Sequence, residues 1–202
     1  NFILNHKIIL GINYHRIGKQ KNENPFKSVH SVNFNVFKIQ IILIKYFFKI
    51  LSLDEIQSGK VNSKINFFIT FDDVSYDSIT AFNWLKSKKI PFTICPNISI
   101  IENKYSNGDR IRFIKKFLTK EEIEIKLKDS LSEEEFKLLK KIGLKKFSKS
   151  YEINQVNFFN IFNNFFKNFE KDFDKFKKNK NYLYWNDILD LSKICKIASH
   201  GN

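Results

Sequence analysis

INFFITFDDVSYDSITAFNWLKSKKIPFTICP, residues 65–96, decides the fold. It opens with INFFITF (65–71), a continuous apolar run of strand length, the pattern of a strand buried on both faces of a parallel sheet. From Asp77 to Lys88, Ile79, Phe82, Trp84 and Leu85 recur at helical spacing, and IPFTICP (90–96) then reads as another strand. Strand, helix, strand over so short a span is a βαβ unit, which implies parallel pairing through a right-handed crossover. The class is therefore α/β.

Upstream, IILGINY (8–14) reads as a buried first strand ending at His15, followed by a loop from Gly18 to Pro25. Between Asn33 and Ile50, Phe34, Phe37, Ile41, Ile44 and Phe48 fall on one face of an amphipathic helix. Ser52 and Glu55 have the spacing of a capping box, which predicts a short second helix. Downstream of Asn97, strands give way to lysine-rich helices until about residue 180. Thr119 with Glu122 and Ser132 with Glu135 are two further capping boxes, and Gly143 is placed to end the second of these helices. Phe158, Phe162, Phe165, Phe169, Phe173 and Phe176 draw a stripe along what reads as one helix. That stripe suits packing on the neighbouring helices or on the sheet domain, with a dimer contact as the alternative. A helix from Trp185 to Lys193 leads to CKIAS (195–199), a fourth strand that delivers His200.

With 202 residues, the chain is long enough for one domain with a sizeable core and an insertion. A hydrophobic fraction of 43% with 23 phenylalanines excludes a disordered chain. The net charge of +14 would ordinarily raise nucleic acid or an anionic membrane surface as partner. However, Lys, Asn, Ile and Phe are abundant together and share A/T-rich codons, so the lysines read as solvated faces. Only Arg16, Arg110 and Arg112 carry the guanidinium that phosphate-reading surfaces favour. No nucleic-acid partner is expected, and a basic nucleic-acid or membrane-surface binder ranks as the third reading. Cys95 and Cys195 lack any metal-knuckle or redox spacing and read as buried thiols, with a disulfide left open. The apolar run from Ile39 to Leu51 contains Lys45 and Lys49 and is too short to span a bilayer, so no transmembrane segment is expected. Residue 1 is Asn, which points to a missing or processed native N-terminus and leaves the compartment unassigned.

Asp72 and Asp73 end the 65–71 strand, where ligands of parallel α/β folds bind. Their side chains should leave the backbone in different directions, so that one can hold a cation while the other accepts a proton. The plainer alternative is that they cap the following helix. His200 also follows a strand, and imidazole with carboxylate suits zinc.

FFITFDDVSYDSITAFNWLKSKKIPFTICPNIS (67–99) resembles the first conserved block of the polysaccharide deacetylases, the NodB-homology group, whose hallmark is a T-F-D-D strand end. INYHRI (12–17) is similar to the family's first strand, and YLYWNDILDLSKICKIASHGN (182–202) to the approach to its second block. The resemblance implies an incomplete, distorted (β/α) barrel spanning 1–202, with a helical insertion over about 103–180. It also implies hydrolysis of N-acetyl groups from the amino sugars of a polysaccharide or envelope glycan. Asp72 would be the general base, Asp73 and His200 ligands of a divalent metal, zinc by default, and His15 a weaker candidate for substrate binding near the mouth. Val74 departs from the glycine common at its position, and the family's third ligand would fall at position 204, past Asn202. On that count this polypeptide is expected to be inactive, and its open sheet to make it poorly soluble. The second reading is a non-catalytic remnant or carbohydrate-binding half-barrel. The glycan's identity, the oligomeric state and the role of the insertion stay open.

Overall fold

The computed structural model describes residues 7–18, 31–61, 63–103, 105–148, 155–178 and 181–200. The chain divides into two compact units, one of residues 1–104 with 180–202 and the other of residues 105–179. The first is α/β. Strands β1 (Ile8–Tyr14), β5 (Ile65–Asp72), β6 (Thr93–Cys95) and β7 (Lys196–Ile197) follow one another across a parallel sheet, with β4 (Lys49–Ile50) paired to the start of β5. A separate parallel pair joins β2 (Arg16–Ile17) to β3 (Ser31–Val32). No closed barrel forms among the described residues: the sheet ends at β1 and β7.

Helices α1 (Phe34–Phe47), α3 (Ile79–Ser87) and α12 (Trp185–Leu191) contribute to the core with one face of this sheet. Phe71 is at its centre, with ring centroids 5.5 Å from Tyr14, 4.9 Å from Phe82 and 5.8 Å from Phe92. Phe37 and Ile41 of α1 and Phe82 and Leu85 of α3 are fully buried around it. Ser52 and Glu55 form the expected capping box on α2 (Leu53–Gln57). The last helix before the second unit is α4 (Ile98–Asn103).

Three expectations for this unit need correction. β5 is not buried along both faces: Ile69 and Phe71 are buried, whereas on the alternate face Asn66 is buried but Phe68, Thr70 and Asp72 toward the C-terminal end are partly exposed. β1 is not a buried strand either, because it ends the sheet, leaving Ile9 and Leu10 39% and 44% exposed. The helix expected to reach Ile50 stops at Phe47, and Lys49 and Ile50 pair with Asn66 and Phe67 as β4. Apolar content cannot distinguish a helix end from a short strand that has a ready edge beside it. The expected loop from Gly18 to Pro25 lies, beyond Gly18, outside the described residues.

The second unit is helical throughout its described residues: α5 (Asn107–Phe117), α6 (Lys120–Lys128), α7 (Glu133–Ile142), α8 (Leu144–Phe147), α9 (Gln155–Asn160), α10 (Asn163–Asn168) and α11 (Glu170–Lys178). The capping boxes at Thr119 and Ser132 form as read, and Ser106 with Asp109 adds one that the sequence reading missed. Gly143 closes α7 at φ 77°, a backbone setting that a side chain would strain. The phenylalanine stripe does not lie on one helix. It is divided among α9, α10 and α11, with Phe162 and Phe169 at the breaks. Its rings pack inside the unit: Phe113 stands 5.0 Å from Phe173, 5.9 Å from Phe165 and 6.4 Å from Phe169. The side chain of Phe176 lies outside the described residues. Arg110 stacks 4.0 Å from the ring of Phe159 and 4.7 Å from that of Phe166, and burial lowers its affinity for its proton.

Candidate active site at the strand ends

Parallel pairing brings the C-terminal ends of β1, β5, β6 and β7 to one rim. Register places Asn13 beside Thr70, Thr70 beside Thr93, and Asp72 beside Cys95. Side chains in a strand alternate between faces, so these five residues share the face opposite the Phe71 core. A polar row of this kind is unusual in a parallel sheet, whose faces are ordinarily apolar.

Asp72 is held within that row. Asn13 Nδ2 donates to Asp72 Oδ2 at 2.6 Å, and Thr70 Oγ1 donates to Asn13 Oδ1 at 3.2 Å. The threonine hydroxyl thus orients the asparagine amide so that its N–H side meets the carboxylate. Burial, followed by the charge of Asp72 and a hydrogen bond to it, pushes the Cys95 thiol up to about 11, so Cys95 is protonated at neutral pH beside the carboxylate.

Asp73 adopts φ 54°, in the left-handed region that Asp tolerates better than most residues. This corrects the expectation that the two side chains diverge. In a continued strand they would point to opposite faces; the left-handed turn brings both carboxylates to a single imidazole. His200 Nε2 lies 3.9 Å from Asp72 Oδ2 and 3.8 Å from Asp73 Oδ1. These separations are too long for direct hydrogen bonds. Neither aspartate caps the next helix, because the 3-10 turn Tyr76–Ser78 takes Ser75 as its N-cap and α3 takes Ser78.

The segment after the carboxylates is braced on several sides. Val74 is buried, and its carbonyl accepts from Leu183 N at 3.3 Å. Ser75 bridges to Tyr182, and Ser78 Oγ accepts from Ile17 N at 3.0 Å. The departure from glycine at position 74 thus places a side chain in the core. His15 is in the single-residue step between β1 and β2, at the same rim.

Asp73 and His200 suit a divalent cation in donor chemistry. Asp73 Oδ1 is buried and accepts no hydrogen bond, as a ligand oxygen would without its ion. Donors about 2.0–2.1 Å from a tetrahedral ion stand roughly 3.3 Å apart, so their 3.8 Å separation is wide by about half an ångström. Among the described residues, no group of three or more His, Cys, Asp or Glu side chains is arranged to hold a metal.

The sequence reading named Asp72, Asp73 and His200, and the fold brings all three together. It missed Asn13 and Thr70 and took Cys95 only as a buried thiol. Period-two parity was the available signal: Thr70 is two residues before Asp72, and Asn13 is a polar residue between Ile12 and Tyr14.

No family model matches this chain, and no curated protein matches it. Among solved structures it is similar to the Streptococcus pyogenes deacetylase PplD in complex with acetate, at 23% identity and TM-score 0.40, over 47% of this chain and 45% of that one. A de-N-acetylase from Aggregatibacter actinomycetemcomitans is similar at 16% identity and TM-score 0.40, over 46% of this chain and 39% of the other. A polysaccharide deacetylase from Bacillus cereus is similar at 21% identity and TM-score 0.37, over 47% and 30% respectively. The chain spans less than half the length of each.

Proposed function

We propose that the strand-end site belongs to a metal-dependent hydrolase that removes N-acetyl groups from the amino sugars of a glycan. The observation that carries this reading is the meeting of Asp72, Asp73 and His200, in a segment whose sequence resembles that of the polysaccharide deacetylases. Asp73 and His200 would hold the ion, with zinc the default for a carboxylate and an imidazole. The ion, when bound, supplies Lewis-acid polarisation of the acetyl carbonyl. Asp72 takes the proton from the attacking water, as a general base on the side of the site away from the core. Asn13 keeps Asp72 turned toward His200 rather than free to rotate into solvent. Cys95, protonated beside it, adds a donor and no second negative charge.

A second reading, a glycan-binding half-barrel without catalysis, is favoured by the 3.8 Å between Asp73 Oδ1 and His200 Nε2, wide by about half an ångström for a shared tetrahedral ion. Zinc titration of the full chain by calorimetry, together with acetate release from N-acetylglucosamine oligomers, separates the two. The hydrolase reading expects zinc binding that weakens in both Asp73→Ala and His200→Ala. It also expects acetate release, which would overturn the inactivity expected from the ligand count, falling by about 10²–10⁴ in Asp72→Asn. Zinc affinity indifferent to both ligand substitutions overturns the metal assignment. Glycan binding without acetate release leaves the second reading.

A further inference from the structure

We propose that the outer face of α1 is a docking surface for an anionic lipid bilayer, with the helix lying in the plane of the headgroups. Phe37 and Ile41 fill the core side of α1. The opposite side is also apolar: Val36, Ile39, Ile42, Leu43, Tyr46 and Phe47 are 48–80% exposed. At 100° per residue they occupy an arc of about 140°, which also holds exposed Asn35 at the N-terminal end of the helix, close to the apolar stripe of an interfacial helix. Single exposed apolar residues are ordinary, but six contiguous ones on one helix are not.

The charges beside this arc indicate what would cover it. Lys38 and Lys45 lie on α1 between its outer and core faces, and Lys45 Nζ donates to the Lys88 carbonyl at 3.1 Å. That contact sets the end of α3, with exposed Lys86, Lys88 and Lys89, against the same margin. No Asp or Glu occurs between residues 33 and 53 or between 78 and 101. An apolar stripe edged by charge of one sign complements lipid tails beneath anionic headgroups. No helix among the described residues is long and apolar enough to cross a membrane, so the geometry is one of lying on the surface. The proposal rests on where these lysines stand and not on the net charge. It is also independent of the strand-end chemistry.

The test is co-sedimentation of the full chain with vesicles of phosphatidylcholine alone or mixed with phosphatidylglycerol, at low and high salt. The expected result is binding to the mixed vesicles only, weakened by salt. Partitioning should drop about tenfold in Ile39→Ser/Leu43→Ser and in Lys86→Glu/Lys88→Glu/Lys89→Glu. Circular dichroism verifies that each variant is folded, and Tyr46→Ser, at 80% exposure, provides a milder variant that leaves the core untouched. No binding to the mixed vesicles overturns the proposal. So does loss in the lysine variant with full binding in both apolar variants, which would mean adsorption by charge alone. A self-associated chain that Ile39→Ser/Leu43→Ser converts to monomer, with no vesicle binding, would make the face a contact between copies.

Discussion

Both units bury clusters of aromatic rings, but the sheet unit also leaves several exposed, Tyr46 and Phe47 among them, and the two differ in how far along the sequence their defining contacts reach. In the sheet unit the contacts that matter are distant in the chain: Asn13 reaches Asp72 across 59 residues, and His200 reaches Asp72 and Asp73 from the far end. In the helical unit distant ring contacts, such as Phe113 with Phe165 and Phe173, are joined by much local order. Three capping boxes each join residues three apart, and neighbouring turns supply many of the ring contacts. Chemistry collects in the first because register can place side chains from separate segments at one rim. Local helix signals only specify where each helix begins and ends.

Substitutions in each unit test this contrast. The largest effects should come from the two ring centres. Phe71→Ala and Phe113→Ala should each cost about 3–5 kcal/mol in their own unit. Trp84, packed 6.0 Å from Phe37, reports the sheet unit by fluorescence during denaturant unfolding. Phe71→Ala should shift that signal to lower denaturant, whereas Phe113→Ala should chiefly reduce helical ellipticity. If both substitutions moved the two signals alike, the units would not unfold separately.

A smaller effect is expected at Asn13, where replacement by Ala removes a donor to a half-buried carboxylate, worth about 1–2 kcal/mol. The Thr70→Val change should reproduce part of that loss by freeing the amide to turn. Additivity in a double-mutant cycle would argue against the Thr70–Asn13–Asp72 chain acting as a unit. Ser132→Ala tests the local counterpart and should cost about 1 kcal/mol, read as a lower urea midpoint for the helical signal alone.

A further effect emerges only at alkaline pH. Burial pushes the Cys195 thiol, 3.2 Å from the Leu191 carbonyl, up to about 12 from an ordinary 9.0. A folded pKa above the unfolded one favours the folded state fully below about 9, and that contribution is lost as pH rises toward about 12. The urea midpoint of the sheet unit should therefore fall over this alkaline window, and Cys195→Ala should flatten the fall. An unchanged slope in the variant would assign the alkaline loss to other groups.

Much of the sheet unit was legible because βαβ patterning and strand-end carboxylates are properties of short windows. The length of the first helix was not, since FFKI could continue a helix or pair beside β5, and only the neighbouring strand decides. The phenylalanine stripe misled for a related reason: helical spacing survived two breaks in the helix, at Phe162 and Phe169, so periodicity overstated continuity.

Short-range signals in the sequence thus specify most element types, most of the caps, the α/β class and the candidates Asp72, Asp73 and His200, because propensity, capping and period act over a few residues. Tertiary structure alone decided that Asn13 and Thr70 brace Asp72, that a left-handed Asp73 turns both carboxylates to one imidazole, and that α1 keeps a second apolar face in the open. Each of those depends on which distant segment comes to lie alongside. Strand register and helix docking settle that only once the whole core is buried.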